Sequence, residues 1–506
     1  MRVGAFSSKV NRFAGLVRIV ETIKRKDMEQ PRVLVAITSY NRRDSLCKLV
    51  ANLVQNENTD IVIFDDKSDW PVNGLQHPKC VDVIINPEHR GKAGFWKTYN
   101  DIFAYCKEHD YDYYIILPDD VEPCPEFVKE AIASYENAGK PICLSPLLTN
   151  RSLAPGISRW GRKPILRKDN GLSPYYETHY FDCCTVCRRD FFEALHWLLA
   201  PIAPHPDPHR SSGVGRQITL RLQEQGKRMC HVERTLLTIV PSDSQMNPEE
   251  RKRHPMVANY EDNYECVDVH MASLYRDGHL LKTLQTLCGQ PEVATVYVTL
   301  NNYTQPQFNE TMAGIKDLQK QFGCKIVTRR AKNQKGSNEK LSQLCKSTAP
   351  YIAFCDDDIL YPADYFLRLI HGIRLHNAAV AFHGGILKRF PTDKYYGGAR
   401  TMYAWNITVP EDTKVDIMGS GVGLIRREWF TDAELKALYA DAPATSMDDI
   451  ILSCALSQKG IERWVLAHPD RIIKTKEPHQ DDNYVYDRYK NDDAEQVAYI
   501  NEHLRR

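Results

Sequence analysis

The sequence predicts two tandem α/β domains, each built on a mainly parallel central sheet. Three observations predict it. Short apolar strands alternate with helical stretches along the chain, as in βαβ units. Three blocks recur in the same order at an offset of roughly 235 residues, about one large domain. The chain has 506 residues, and single hydrophobic cores stop growing near about 250–300 residues.

The first block opens each half. Val33 to Arg42 reads as a buried strand and a polar turn, and Val267 to Arg276 repeats it, keeping the serine and the arginine. The next strand recurs as Ile61 to Asp66 and as Val296 to Asn302. The second block is a strand ending in aspartates. Tyr113 to Val121 contains Asp119 and Asp120, and Tyr351 to Ile359 contains Asp356, Asp357 and Asp358. The third block pairs Cys187 to Phe192 with Ile425 to Phe430. Helical stretches follow Arg42 (Leu46 to Val54) and Glu339 (Leu341 to Cys345). The polar stretch Asn247 to Asn263 suits a linker. The chain therefore divides into a basic amphipathic helix over 1–30, a first domain over 31–247, a linker over 248–264 and a second domain over 265–506.

Composition narrows the class. Hydrophobic residues are 42% and charged residues 26% of the chain, as in globular proteins. The net charge of +1 gives no general attraction to nucleic acid or anionic membrane. The 15 cysteines are scattered and odd in number, unlike a short disulfide framework. They read as reduced thiols of a cytoplasmic protein. A zinc site from Cys183, Cys184 and Cys187 is disfavoured, because structural zinc usually takes four spaced ligands. No apolar run is long enough to span a bilayer. At the N-terminus Val10, Phe13, Val17 and Val20 share a helical face among basic residues. That segment reads as a helix packed on the first domain, with peripheral contact at the inner face of a membrane as the alternative.

Adjacent carboxylates repel, so leaving them together at the end of an apolar strand calls for a cation. Ligands of open α/β sheets bind beyond the carboxyl ends of the strands. Hard oxygen donors there suit Mg2+ or Mn2+ bridging carboxylates to substrate phosphates. Asp119, Asp120, Asp356 and Asp358 are the metal candidates, and the chemistry is a metal–diphosphate site. A solvated acidic turn or helix cap would carry the same residues; repetition in the same strand context favours the metal.

Each half resembles a GT-A glycosyltransferase domain of the broad family-2 type, the Rossmann-like fold of nucleotide-diphospho-sugar transferases. The likeness rests on Thr38 to Arg42, on Asp65-Asp66 and on Asp356-Asp357-Asp358. The run Asp356 to Tyr365 is especially similar to bacterial and viral members that build surface glycans. The resemblance implies a nucleotide-sugar donor, usually a UDP-sugar, a divalent metal (Mn2+ or Mg2+) and a role in polysaccharide biosynthesis. It places Ser39, Asn41, Arg42, Asp65, Asp66, Ser273, Tyr275, Arg276, Asn301, Asn302 and Asp357 near the donor. Lys92, Lys97, Lys335 and Lys340 follow the third strand of their halves and could approach base or phosphate; a solvated helix face is the plainer reading of each.

The halves are unequal. An inverting transfer needs a base for the acceptor hydroxyl, and Asp448 or Asp449 opens a helix where the resemblance implies one. The macrodipole alone also favours acids there. The matching helix of the first half opens Ser211-Ser212-Gly213-Val214-Gly215, without a carboxylate. The resemblance implies a further metal-ligating histidine, which His479 offers, with a surface histidine the alternative; the first half has none in that stretch. The leading reading is a metal-dependent, inverting transferase acting on a glycan, either bifunctional or with one catalytic and one supporting module. Transfer to modified DNA bases is the alternative acceptor, and a catalytically inactive nucleotide-sugar-binding protein the alternative function. A sugar nucleotidyltransferase would carry a Gly-rich loop where Ser39 to Asp44 stands.

Overall fold

The computed structural model describes residues 30–75, 80–148, 164–168, 173–178, 180–202, 213–240, 266–275, 278–468, 473, 489 and 491–506. The expected linker and residues 1–29 of the expected N-terminal helix lie outside them.

The first half opens with β1 (Val33–Ser39), β2 (Thr59–Asp65), β3 (Cys80–Ile85) and β4 (Tyr113–Pro118), joined in parallel. Next come β5 (Val121–Pro123), β6 (Cys143–Ser145), β7 (Ile165–Arg167), β8 (Tyr175–Thr178), β9 (Thr185–Cys187), β10 (Met229–Val232) and β11 (Leu237–Ile239). The main sheet runs β3-β2-β1-β4-β9-β6-β10-β8-β7, with β5 and β11 as a separate ribbon. Parallel strands of this kind are covered on both faces and need apolar residues on both. Val33, Val35 and Ile37 pack on one face against the helix Arg43–Leu53, while Leu34 and Ala36 pack on the other against the helix Gly91–Glu108. The helix Arg43–Leu53 turns Leu46, Leu49, Val50 and Leu53 inward at helical spacing.

The second half contains β12 (Val267–Leu274), β13 (Val293–Asn301), β14 (Lys325–Ala331), β15 (Tyr351–Cys355), β16 (Ala379–Ala381), β17 (Gly384–Leu387), β18 (Arg400–Tyr403), β19 (Thr413–Lys414), β20 (Ile417–Met418), β21 (Val422–Arg426) and β22 (Arg463–Val465). Its main sheet runs β14-β13-β12-β15-β21-β16-β22-β19. This order matches the first sheet from β3 to β8, and each pairing keeps its direction. The repeat read in the sequence is thus a repeat of topology. The four opening strands of each sheet are parallel, and β9 and β21 are the reversed strands beside the aspartate strands.

The halves touch through Leu220, which packs with Ala363 and Leu367, and through an ion pair between Arg216 and the buried Glu292. No helix among the described residues is long and apolar enough to cross a membrane.

Two expectations change. The helical stretch after Glu339 is a 3-10 helix, Gly336–Lys346, not an α-helix. Tertiary bonds pin it: Asn338 Nδ2 donates to the carbonyls of Pro443 and Thr445, and Arg329 and Tyr439 bind Glu339. These cross-links hold the chain in the tighter winding against its α-helical preference. The cysteines are not all thiols either. Cys288 and Cys324, at the end of one helix and the start of β14, form a disulfide inside the second core. Their spacing of 36 residues gave no sign of it.

His270, on β12, stacks on Tyr297 and shares a hydrogen bond of 2.6 Å with Ser347 Oγ. Burial lowers its pKa from 6.5 to about 3. The unfolded chain therefore takes up a proton that the folded chain refuses. The stabilisation is complete above pH 6.5 and is lost as pH falls toward 3. In urea titrations, His270→Asn should flatten the loss of stability between pH 6.5 and 4 relative to wild type; parallel curves would refute the neutral histidine.

Candidate functional site

Both aspartate strands are tied to the opening strand by one device. Ser39, the last residue of β1, donates its hydroxyl to Asp119 Oδ2 at 2.8 Å, and the Tyr40 amide donates to the same oxygen at 3.1 Å. In the second half Ser273 Oγ donates to Asp357 Oδ2 at 2.6 Å. Asp119 therefore corresponds to Asp357, Asp120 to Asp358 and Pro118 to Asp356. The serine conserved between the halves is explained by this bond. Asp119 and Asp357 are both buried and serve first to lock the sheet at the cleft edge.

In the first half Arg42 supplies the cation. Its Nη1 lies 2.8 Å from Asp119 Oδ1 and 3.1 Å from Asp120 Oδ2. Burial pushes the Asp119 carboxyl above its ordinary range, with Arg42 and the Ser39 bond pulling against it.

In the second half the cation is a lysine from the 3-10 helix. Lys340 Nζ lies 2.8 Å from Asp356 Oδ1, 3.1 Å from Asp448 Oδ2 and 3.0 Å from the Ser420 carbonyl. Its side chain is 3% exposed, so the solvated-face reading fails for it. Burial opposes its charge, but Asp356 and Asp448 outweigh burial and raise its pKa. Lys340 thus joins the aspartate strand to the helix Asp448–Gln458, two features far apart in sequence. Ser337 and Ser420 also donate their hydroxyls to Asp448. Gly421 completes the arrangement, since a Cβ there would overlap Asp356 Oδ2. Gly336, at φ +54°, lets the 3-10 helix begin against Ser446.

Asp449 faces different groups. Tyr395 donates its hydroxyl to Asp449 Oδ2 at 2.8 Å, and the Arg400 guanidinium lies 3.6 Å from the Tyr395 ring centre. Burial and the neighbouring Asp448 charge raise the Asp449 pKa, against the pull of Arg400. Asp448 thus accepts two hydroxyls and a lysine, whereas Asp449 accepts the Tyr395 hydroxyl and the Ile450 amide and, among the described residues, has no lysine beside it.

Other expected residues are engaged locally. Asp65 accepts the amide and hydroxyl of Ser68 at 2.8 and 2.6 Å. Asp66 accepts the Arg90 and Gly91 amides at 2.8 Å, at the start of the helix Gly91–Glu108. Asn41 pairs with Asp69. Asn301 reaches the Gly336 carbonyl at 3.4 Å, Asn302 is exposed at φ +55°, and Tyr275 bonds Glu310 at 3.2 Å. Lys335 donates to the carbonyls of Tyr439, Ala440 and Ala442, where a helix ends. Lys97 is exposed over Trp96. Arg276, His479 and the Lys92 side chain lie outside the described residues. Cys187 packs in the first core apart from Cys184, on the other face of the sheet. Ser337, Tyr395, Arg400, Ser420 and Gly421 are not marked in the sequence, because single residues of these kinds carry no pattern.

Removing Lys340 leaves the buried Asp448 without its cation. Breaking a buried pair from one side costs about 3–5 kcal/mol. Asp356 is 45% exposed and tolerates the loss in water, so Lys340→Met should sit near the lower end, about 3 kcal/mol by urea unfolding. A loss under about 1 kcal/mol would mean that the pair is solvent-screened.

Residues 34–195 match the model of the family described as Glycosyl transferase family 2. No curated protein matches the chain. Among solved structures, S. aureus TarS 1–349 is 14% identical, with 41% of this chain and 59% of that one covered at a TM-score of 0.29. The mannosyltransferase PcManGT from Pyrobaculum calidifontis, in complex with GDP-Man and Mn2+, is 15% identical, with 43% and 58% covered at 0.29. The chain thus spans under two thirds of either, and likeness at this level assigns no residue a role. The family match falls on the half whose aspartates Arg42 neutralises. Residues 34–195 are thus similar to glycosyl transferase family 2.

Proposed function

We propose that the second half carries out the transfer, moving a sugar from a nucleotide-sugar, most simply a UDP-sugar, to a glycan hydroxyl with inversion. The observation that carries this is the Lys340 bridge from Asp356 to Asp448. It puts the strand-end carboxylates and the helix that begins with Asp448 and Asp449 at one place. Asp449 is the base: it takes the proton of the acceptor hydroxyl at Oδ1 or Oδ2, and the Tyr395 hydroxyl orients it. Asp448 positions Lys340, which in turn holds Asp356 at the strand end.

The donor set fits a hard divalent ion. Asp356 and Asp358 offer carboxylate oxygens, and the bare Cα of Gly421 lets the Asp356 carboxylate lie where a side chain would overlap it. Mn2+ or Mg2+ held there would neutralise the diphosphate, and His479 is a further candidate ligand. Ser39, Asn41, Arg42, Asp65, Asp66, Lys92, Ser273, Tyr275, Arg276, Asn301, Asn302 and Asp357 complete the proposed donor surfaces of the two halves. A net charge of +1 favours a glycan over DNA as acceptor. Cytoplasmic location and domain limits at 31–247 and 265–506 belong to the same reading.

A second reading, transfer in both halves, is favoured by the family match over residues 34–195. Donor hydrolysis with Mn2+ separates the two. Asp358→Ala should abolish turnover while Asp120→Ala leaves it within about twofold, well short of the roughly 10²–10⁴-fold that a positioned acid–base group supplies. Loss of a distinct activity in Asp120→Ala would establish two sites. A thermal-shift screen of nucleotide-sugars with and without Mn2+ tests the donor, since a bound ligand raises apparent stability; no shift with any donor would overturn the proposal.

Only the ionised Asp449 can accept a proton. Its raised pKa puts the acid limb of kcat/KM above pH 3.8, the ordinary value, with activity falling as pH drops through it. Asp449→Asn should lower kcat by about 10²–10⁴-fold and abolish that limb. An unchanged limb would assign the base elsewhere.

A further inference from the structure

We propose that Asp182, Cys183 and Cys184 form a soft-metal site, suited to Zn2+, in the first half, at the place where the second half keeps its Lys340 ion pairs. Among the described residues these three bring a carboxylate oxygen and two sulfurs within 4.8 Å of one another. Cys183 Sγ donates to Asp182 Oδ1 at 3.4 Å, and the Cys184 amide lies 3.4 Å from the same oxygen.

The position follows from the sheet register. Ile116 on β4 faces Thr185 on β9, so the next steps set Leu117 opposite Cys184 and Pro118 opposite Cys183. Cys355 on β15 faces Val422 on β21, so the next step sets Asp356 opposite Gly421. Cys183 therefore occupies the place of Gly421, and Asp182 that of Ser420. The helix Val214–Glu224 corresponds to Asp448–Gln458, so Val214 stands where Asp448 does. Pro118 and Val214 stand where Asp356 and Asp448 do, and the two thiols and the carboxylate lie on the strand beside them.

The chemistry of that exchange points to a different ion. Thiolates select zinc-like metals over Mg2+ and Mn2+. Tetrahedral zinc with bonds of about 2.0–2.3 Å sets its ligand atoms roughly 3.3–3.8 Å apart, so the cluster needs to close by about 1 Å. Three protein ligands leave a fourth position for water or a substrate oxygen, as in catalytic zinc sites. Asp182 and Cys184 are buried, while Cys183 is exposed and marks the open side. Each thiol releases its proton to solvent on binding a divalent cation.

The test is a Cd2+ titration of the full-length, reduced, metal-free protein, read by thiolate-to-metal charge-transfer absorbance, with Zn2+ as competitor. One equivalent of Cd2+ should saturate the band and Zn2+ should displace it. Cys183→Ser should abolish the band, Asp182→Asn should weaken binding at least about tenfold, and Cys266→Ser, at an exposed cysteine elsewhere, should leave it intact. Cys184 is buried, so Cys183→Ser at its exposed position is the deciding variant, with its fold checked by circular dichroism. No band in wild type, or an unchanged band in folded Cys183→Ser, would overturn the site.

Discussion

A buried lysine between two aspartates organises the second half. Lys340 is drawn out of water by a 3-10 helix that Asn338 and Glu339 stitch to neighbouring loops. Desolvating an ammonium costs several kcal/mol, and only partners at hydrogen-bond distance offset it. Asp356, Asp448 and the Ser420 carbonyl are those partners. The requirement spreads outward: Gly421 must lack a side chain, Ser337 must hold Asp448 Oδ1 while Ser420 shares Oδ2 with Lys340, and the helix Asp448–Gln458 must begin where it does. Asp449, the next residue of that helix, is thereby set beside the Tyr395 hydroxyl.

The first half meets the same need for charge balance with Arg42. An arginine from the turn after β1 spans two carboxylates, in keeping with the fork geometry of guanidinium. The two halves therefore share a backbone plan and differ in where the compensating cation comes from.

Much of the plan was legible in the sequence. Val33–Ser39, Tyr113–Pro118, Val267–Leu274 and Tyr351–Cys355 are strands because apolar runs bounded by polar turns have little alternative in a two-faced sheet. The paired serines and aspartates were visible as a repeat, although their mutual bonds were not. Lys340 was misread because a lysine in a polar stretch is ordinarily solvated, and its partners are 16 residues and more away. Asp65 and Asp66 look like ligand-binding acids, yet their oxygens hold backbone amides. Sequence alone does not separate those uses, since both draw on the affinity of a carboxylate for N–H groups. The Cys288–Cys324 bond was invisible for a related reason: its geometry is set by a helix end and a strand start, not by spacing.

The shared strand order bears on how the chain reaches its fold. β1 and β12 each take the same two kinds of neighbour, in the same direction. While both halves are incomplete, the backbone does not distinguish the correct neighbour from its counterpart in the other half, and misassembly between like units is a characteristic failure of repeated folds. Side chains have to make the distinction. The divergence at the strand ends, where Arg42 answers Asp119 and Lys340 answers Asp356, gives each half its own charge code, so a strand drawn into the wrong sheet would bury a carboxylate without its cation. The residues that balance charge at the strand ends of each half thereby also sort its strands.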